Sequence, residues 1–371
     1  MAAIAGGLSF LSPAWGSSER GRQRPSDAAP ASLPSYLAGY EDVYSRDPRQ
    51  AALQWFTAAR FGLFLHYGLY SLEGIHPFEQ WRRRTPVRQY ERKMDRFTAE
   101  KFDADFIADL ARDAQMRYVN LVTKHCEGFC LWATHQTSFN SVHAAAQRDL
   151  VAAMARACRV RKLGLFLFYE HGFDWRHPHG PRQRDWPGPS ITEVPYATPE
   201  PTYAQGAAYD LNRYVEYVSA QIEELLTGYG PIAGIWLDGA AVPASGDHRR
   251  FQLQAWYDKV HRLQPQTLVS YKWGITGTED FSAPEKGQVA RVGQRSKPME
   301  ICESLSPGWG YVKNEPHHDV DWVIQRLREA GRSSANLLLN TGPLGDGSLY
   351  PQDIETLRAV GRSIRQHGFP A

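Results

Sequence analysis

Gly234-Ile235-Trp236-Leu237-Asp238-Gly239 is a short apolar run that delivers one carboxylate at its carboxyl end and then turns at a glycine. Continuous apolar runs of this length suit parallel strands covered on both faces, where no residue is left to alternate toward water. The same grammar recurs along the chain, over Arg60–His66, Tyr118–His125, Gly164–Glu170, Thr267–Lys272, Met299–Ser304 and Ala335–Asn340. Several of these runs also end in a polar side chain: His66, Lys124 with His125, Glu170 and Lys272.

Between the runs lie amphipathic stretches. In Thr98–Met116 the residues Phe102, Phe106, Ile107, Leu110 and Ala114 recur at a helical period, which marks one buried stripe. Arg148–Arg161, Tyr209–Leu226, Asp319–Arg328 and Gln352–Gln366 follow the same pattern. Alternating strands and helices predict an α/β protein with a parallel sheet. An open doubly wound sheet would announce itself by a glycine-rich turn at a switch point, and the chain has neither G-x-G-x-x-G nor a P-loop. Polar residues at the ends of several strands instead suit a single (β/α)8 barrel of the TIM type, whose catalytic groups gather on one face. Seven strands are readable, so the eighth is unassigned or replaced by an irregularity.

Met1–Gly16 is small and apolar and leads into a polar stretch with Pro and Ser. It reads as a signal remnant without its basic start, or as a disordered N-terminus. The expected organisation is therefore 1–35 outside the fold and 36–371 as the barrel domain, and the expected location is exported, periplasmic or secreted. The 42 basic residues balance 40 acidic ones, for a net charge of +2. That gives no electrostatic ground for a nucleic-acid or anionic-membrane partner. No apolar run reaches the ~20 residues of a membrane span. Four cysteines in 371 residues are not a disulfide scaffold. With 11 Trp, 18 Tyr and 16 Phe, the excess is aromatic, which suits sugar faces or a large core.

Asp238 is either a catalytic carboxylate or the cap of a following helix. Glycoside cleavage needs a second carboxylate; Glu279, Asp280, Glu285, Glu300 and Glu303 are the downstream candidates. Lys124-His125-Cys126-Glu127-Gly128-Phe129-Cys130 holds residue types that bind zinc, but its C-x3-C has no matching second pair. A catalytic metal would have to recruit His66 and His171 from elsewhere. His171–Gly180, with three histidines, reads as a metal-binding or a mobile surface loop, and Cys158 as helix packing.

Taken together, several segments resemble glycoside hydrolase family 29, the α-L-fucosidases. The resemblance is carried by Arg60-Phe-Gly-Leu-Phe-Leu-His66-Tyr-Gly-Leu-Tyr-Ser71, Lys124-His-Cys-Glu-Gly-Phe-Cys-Leu-Trp132 and Arg148-Asp-Leu-Val151. Phe173-Asp-Trp175, Gly234–Gly239 and Asn336-Leu-Leu-Leu-Asn-Thr-Gly-Pro343 complete it, in family order. It implies an irregular (β/α)8 barrel and a retaining exo-glycosidase that removes terminal α-L-fucose from glycans, with no cofactor and no metal. The family's C-terminal β-sandwich has no room before Ala371. Asp238 falls on the nucleophile and Glu285 best matches the acid/base, with Glu300 in reserve. His66, Trp81, His125, Tyr169 and Lys272 match substrate-binding positions.

The departures from the family are specific. Cys126 replaces the second of two consecutive histidines, Glu127 follows where the family has Asp, and Gln80 stands for a Glu beside Trp81 unless Glu79 shifts into its place. Lys272 replaces an Arg and loses its planar fork of donors, while Glu170 stands where Ser is common. These changes bear on sugar specificity more than on reaction class. Two other functions fit the same residues: an inactive carbohydrate-binding barrel, and a metal-dependent hydrolase using His66, His125 and His171.

Overall fold

The computed structural model describes residues 32–183, 191–239, 243, 248–272, 274–285 and 297–370. The strands are β1 (Phe61–Leu65), β2 (Tyr118–Lys124), β3 (Gly164–Glu170), β4 (Gly234–Asp238), β5 (Leu268–Tyr271), β6 (Met299–Ser304) and β7 (Ala335–Thr341). They form one sheet in the order β5-β4-β3-β2-β1-β7-β6, and every pair is parallel.

The gap between the edge strands β5 and β6 is filled by residues 280–285. On one side the Asp280 amide donates to the Val269 carbonyl at 2.8 Å and the Ala283 amide to the Lys272 carbonyl at 2.6 Å. On the other, the Ser282 amide donates to Pro298 at 3.0 Å, Glu300 to Ser282 at 2.8 Å and Cys302 to Pro284 at 3.1 Å. This segment is the missing eighth member and closes the ring. It escapes a pattern search because Asp280-Phe-Ser-Ala-Pro-Glu285 is neither an apolar run nor a regular alternation, and its Pro284 cannot donate to a ladder.

The longer helices among the described residues are α1 (Pro48–Ala59), α2 (Ala104–Asp113), α3 (Leu150–Val160), α4 (Leu211–Gly228), α5 (Leu253–Leu263), α6 (Val320–Arg332) and α7 (Pro351–His367). An aspartate caps five of them, Asp47, Asp103, Asp149, Asp210 and Asp319 each accepting a backbone N–H of the first turn. The Asp103 cap explains why α2 starts later than its apolar stripe. Leu33–Ala371 form one compact unit. Within it Leu33 packs on the inner core cluster and the Ser35 hydroxyl donates to the Arg159 carbonyl at 2.9 Å. Met1–Gly16 lie outside the described residues.

Strand alternation divides the core in two. Leu63, Leu65, Leu121, Leu167, Ile235, Leu337 and Leu339 face the helices. Phe64, Tyr118, Val122, Phe166, Phe168, Trp236, Leu268, Phe281 and Leu338 fill the barrel. At its amino-terminal end α1 inserts Trp55 and Phe56: Trp55 stacks on Phe166 (centroids 6.3 Å, 16°) and Phe56 lies 4.4 Å from Phe281. Gly234 is required here, because a Cβ would collide with the Phe166 ring. Glu300 also lies in this interior, fully buried. It accepts hydrogen bonds from the Tyr118 hydroxyl and from Trp236 Nε1, the latter at 3.0 Å. Burial pushes its carboxyl up to about 7, although those two donors pull the other way.

Candidate active site

The opposite, carboxyl-terminal end of the barrel is where the strands deliver their polar residues. β3 and β4 run in register, with Glu170 beside Asp238, and the amides of His171 and Gly172 both donate to the Asp238 carbonyl, at 3.3 and 3.1 Å. Gly239 turns the chain away at φ 81°; a Cβ there would strike Glu170 Oε1 and the Gly172 backbone.

Lys272 is the hub. Its Nζ lies 3.0 Å from Asp238 Oδ1 and also pairs with Glu285 Oε1. The Gly239 amide donates to the same Asp238 Oδ1 at 2.5 Å. Lys272 itself takes a left-handed backbone conformation, φ 48°, uncommon for a residue with a Cβ and a mark of strain at functional positions. Its ammonium stands 5.2 Å over the Trp236 ring, whose N–H is tied to Glu300. The side chains of Asp238 and Glu285 keep 21% and 27% exposure, so both reach the mouth, whereas Glu300 does not.

Charge follows from this packing. Burial raises the Asp238 carboxyl; Lys272 opposes the shift and Glu285 adds to it, for a net rise. Glu170 is pushed well above the carboxylate range by burial and then by Asp238. Burial works against the Lys272 charge, yet Asp238 and Glu285 outweigh it and hold the ammonium above the usual lysine range. Two carboxylates thus share one fixed, buried cation.

The histidines form the adjoining wall. His66 stacks on Trp309 (5.3 Å, 28°) and lies 5.9 Å from His125. Asn340 Nδ2 donates to the Trp309 carbonyl at 2.5 Å and to Ser304 Oγ at 3.0 Å. A carbonyl can only accept, so the other amide atom is Oδ1, which accepts from His66 Nδ1 at 2.7 Å. Nε2 is then the acceptor of the neutral His66 ring. His125 is buried against Phe168, Tyr70 and Phe78, and burial, then repulsion from His66 whenever that ring is protonated, drives its pKa well below the usual value. Its Nδ1 has no hydrogen-bond partner, and Glu127 Oε2 lies 3.7 Å away. Burial pushes Glu127 up to about 8.

Asp238, Glu285, Lys272, His66 and His125 therefore come to one end of the barrel. Tyr169 does not join them. It precedes the inward Glu170, so it faces α4, where its hydroxyl donates to Gln221 Oε1 at 2.6 Å. Trp81 sits on the short helix Glu79–Arg83, partly buried against the outer core. It is Phe78, one turn earlier, whose ring stands 5.9 Å from His125. His171 bonds the Tyr271 hydroxyl at 2.7 Å and packs edge-on to Trp256, outside the ring, so it cannot complete a metal site with His66 and His125. The loop it begins is not mobile surface: Asp174 in it is buried and pairs with Lys124 Nζ at 3.1 Å. Cys158 is buried in α3, as read. Trp309 and Asn340 carry no role in the sequence reading. The signal for Trp309 was there, a tryptophan between two glycines just past the end of β6.

A family model described as Alpha-L-fucosidase matches residues 35–369. The plasma α-L-fucosidase of Rattus norvegicus is 26% identical over 358 residues, covering 89% of this chain and 72% of its own. Among solved structures, α-L-fucosidase isoenzyme 1 from Paenibacillus thiaminolyticus superposes with a TM-score of 0.74 at 29% identity, over 86% of this chain and 77% of that one. The Thermotoga maritima α-fucosidase, in complex with a mechanism-based inhibitor, gives 0.67 at 28%, over 85% and 74%. With the barrel, the carboxylates at its mouth and a match along nearly the whole length in agreement, the chain belongs to the α-L-fucosidase family of glycoside hydrolases.

Proposed function

We propose that this α-L-fucosidase works with retention of configuration, Asp238 as nucleophile and Glu285 as acid/base. The observation that carries the reading is the meeting of the two carboxylates on one ammonium, Lys272 Nζ. Oxygens bonded to the same nitrogen stand no farther apart than the two contacts laid end to end. That keeps the nearest oxygens of the two carboxyl groups closer than the ~6.5–9.5 Å separation of inverting glycosidases, which supports the retaining reading.

Asp238 Oδ1 is occupied by Lys272 and the Gly239 amide, so Oδ2 is the oxygen that attacks. It bonds the anomeric carbon as the glycosidic C–O bond breaks and Glu285, released from Lys272 and protonated from solvent, gives that proton to the departing oxygen. Glu285 then takes a proton from water, whose oxygen bonds the anomeric carbon and releases Asp238. Lys272 stays paired with Asp238 Oδ1 and orients it. His66, with Nε2 as acceptor, and His125 are placed to bind sugar hydroxyls, and Trp309 to cover an apolar sugar face.

Azide separates the roles. Asp238→Ala with azide gives the β-fucosyl azide, by direct displacement; Glu285→Ala with azide gives the α-fucosyl azide, by capture of the covalent intermediate. The reverse pairing, or no azide adduct from either active-site variant, overturns the assignment. A folded protein that binds L-fucose and leaves every fucoside intact would be a binding barrel instead. Export belongs to the same proposal, supported by the apolar Met1–Gly16 stretch and the extracellular location of glycans. Among the described residues no helix is long and apolar enough to cross a membrane. Recovery of the chain only from the cytoplasmic fraction of its host would overturn it.

A further inference from the structure

Of the metal-binding residue types in Lys124–Cys130, the fold gathers two and recruits a third from another strand. A ring nitrogen of His125, Cys126 Sγ and a carboxylate oxygen of Glu170 all lie within 4.8 Å of one another. Cys126 Sγ is already 3.7 Å from Glu170 Oε2. All three residues are buried, with exposures of 6%, 0% and 2%, and His125 Nδ1 is an unpartnered buried nitrogen. Cys130, the second cysteine of the motif, turns away to the Gly128 carbonyl and Gln221.

We propose that His125, Cys126 and Glu170 capture one thiophilic divalent cation, Zn²⁺ or Cd²⁺, at the floor of the active site, and that the captured ion inhibits the enzyme. Zinc–ligand bonds of about 2.0–2.3 Å put the donors of a tetrahedral ion about 3.3–3.8 Å apart, so the trio needs only a small closure. The donor set is one nitrogen, one sulfur and one oxygen, which zinc accepts, with water in the fourth position. On capture the thiol and the carboxyl release their protons to solvent and the ion takes up the thiolate and carboxylate. Inhibition follows from place: Glu170 is the register partner of Asp238, so a dication there neutralises the carboxylate that must attack and occupies the floor of the pocket. Capture itself stands on geometry alone; its inhibitory consequence rests on the proposed role of Asp238.

The two parts are read separately. Cd²⁺ titration of the full chain is followed by the ultraviolet thiolate-to-cadmium absorption, and fucoside hydrolysis is followed in ZnCl₂ with and without EDTA. One Cd²⁺ per chain is expected, with the absorption retained in Cys130→Ser and lost in Cys126→Ser. Zinc inhibition should be reversed by EDTA, and in Glu170→Gln half-inhibition should need at least tenfold more zinc. L-Fucose should compete with the metal. No absorption in the wild type, or equal absorption in Cys126→Ser, overturns the site. Absorption without inhibition of an active enzyme overturns its inhibitory role, and a chain without fucosidase activity that still gives the absorption keeps the site while the catalytic reading fails. Should Cys126→Ser not fold by circular dichroism, Cys126→Ala and Glu170→Gln replace it in the titration.

Discussion

The two ends of the barrel are built from similar residues to opposite purposes. At the amino-terminal end, Glu300 accepts from Tyr118 and Trp236, and Asn336 accepts from the Arg60 amide and donates to the Phe56 carbonyl, both at 2.8 Å. Glu300 and Asn336 lie there among Trp55, Phe56 and Phe166 with fixed partners, although Trp55 Nε1 and the Tyr36 hydroxyl have none. At the carboxyl-terminal end, two carboxylates compete for one ammonium with a third alongside, and His125 Nδ1 and both oxygens of Glu127 have no partner. A buried polar group without a partner costs about 1–3 kcal/mol, and a fold tolerates that where a ligand or a reaction makes use of it. The lower end stabilises; the upper end is left incomplete for a sugar.

Substitutions at the two ends should therefore fail differently. Asp238→Asn should lower kcat/KM by on the order of 10⁴-fold and leave the urea midpoint close to wild type, since its partners sit at the open mouth. A large stability loss would mean that the mouth, too, is structural. Trp55→Ala should do the opposite, costing about 3–5 kcal/mol in urea unfolding while the molecules that remain folded keep their KM. A changed KM would show that the aromatic plug sets the site through the barrel.

Glu300 sharpens the contrast through pH. Its folded pKa, pushed up to about 7 from 4.5, means that the folded chain holds a proton which the unfolded chain gives up. Its contribution is intact below about pH 4.5 and is lost as pH rises through about 7, by a few kcal/mol at most. Glu300→Gln, which cannot ionise, should flatten that part of the stability curve: urea midpoints at pH 5 and pH 8 should differ more in the wild type than in the variant. Equal differences would place the titration elsewhere.

Five of the seven strands have at least one end where sequence placed it, and β3, β4 and β6 have both, because an apolar run bounded by a polar residue is a local signal. The eighth position was not legible. Residues 280–285 pair with strands on both sides yet carry no run of their own, so the contacts that make them part of the barrel are entirely long-range. The same division holds in the site. Asp238, His66 and Lys272 end apolar strands and could be found one by one. Tyr169 was misjudged by a single step of the period-two alternation, which sends it to α4 and its neighbour Glu170 inward. The role of Asn340 was invisible for a different reason, since it acts through partners distant in sequence, above all His66, 274 positions away.

That last pair gives the smallest effect and the most specific one. Asn340 orients His66 because its amide cannot be turned: the Trp309 carbonyl requires the NH₂ and leaves Oδ1 for His66 Nδ1. Asn340→Asp keeps an oxygen in reach of Nδ1 and nearly the same volume, but sets a carboxylate there. An adjacent negative charge favours the imidazolium, which carries a proton on Nε2 and can no longer accept from a sugar hydroxyl. KM should rise about tenfold where the variant's ring is protonated and the wild type's is not, the loss of one good hydrogen bond, and converge on the wild type as pH is raised until the variant's ring loses that proton. The carboxylate also faces the Trp309 carbonyl, so some loosening of that loop is expected at every pH. A rise in KM that does not depend on pH would therefore mean that Asn340 serves Trp309 alone, and that the protonation state of His66 has no part in binding.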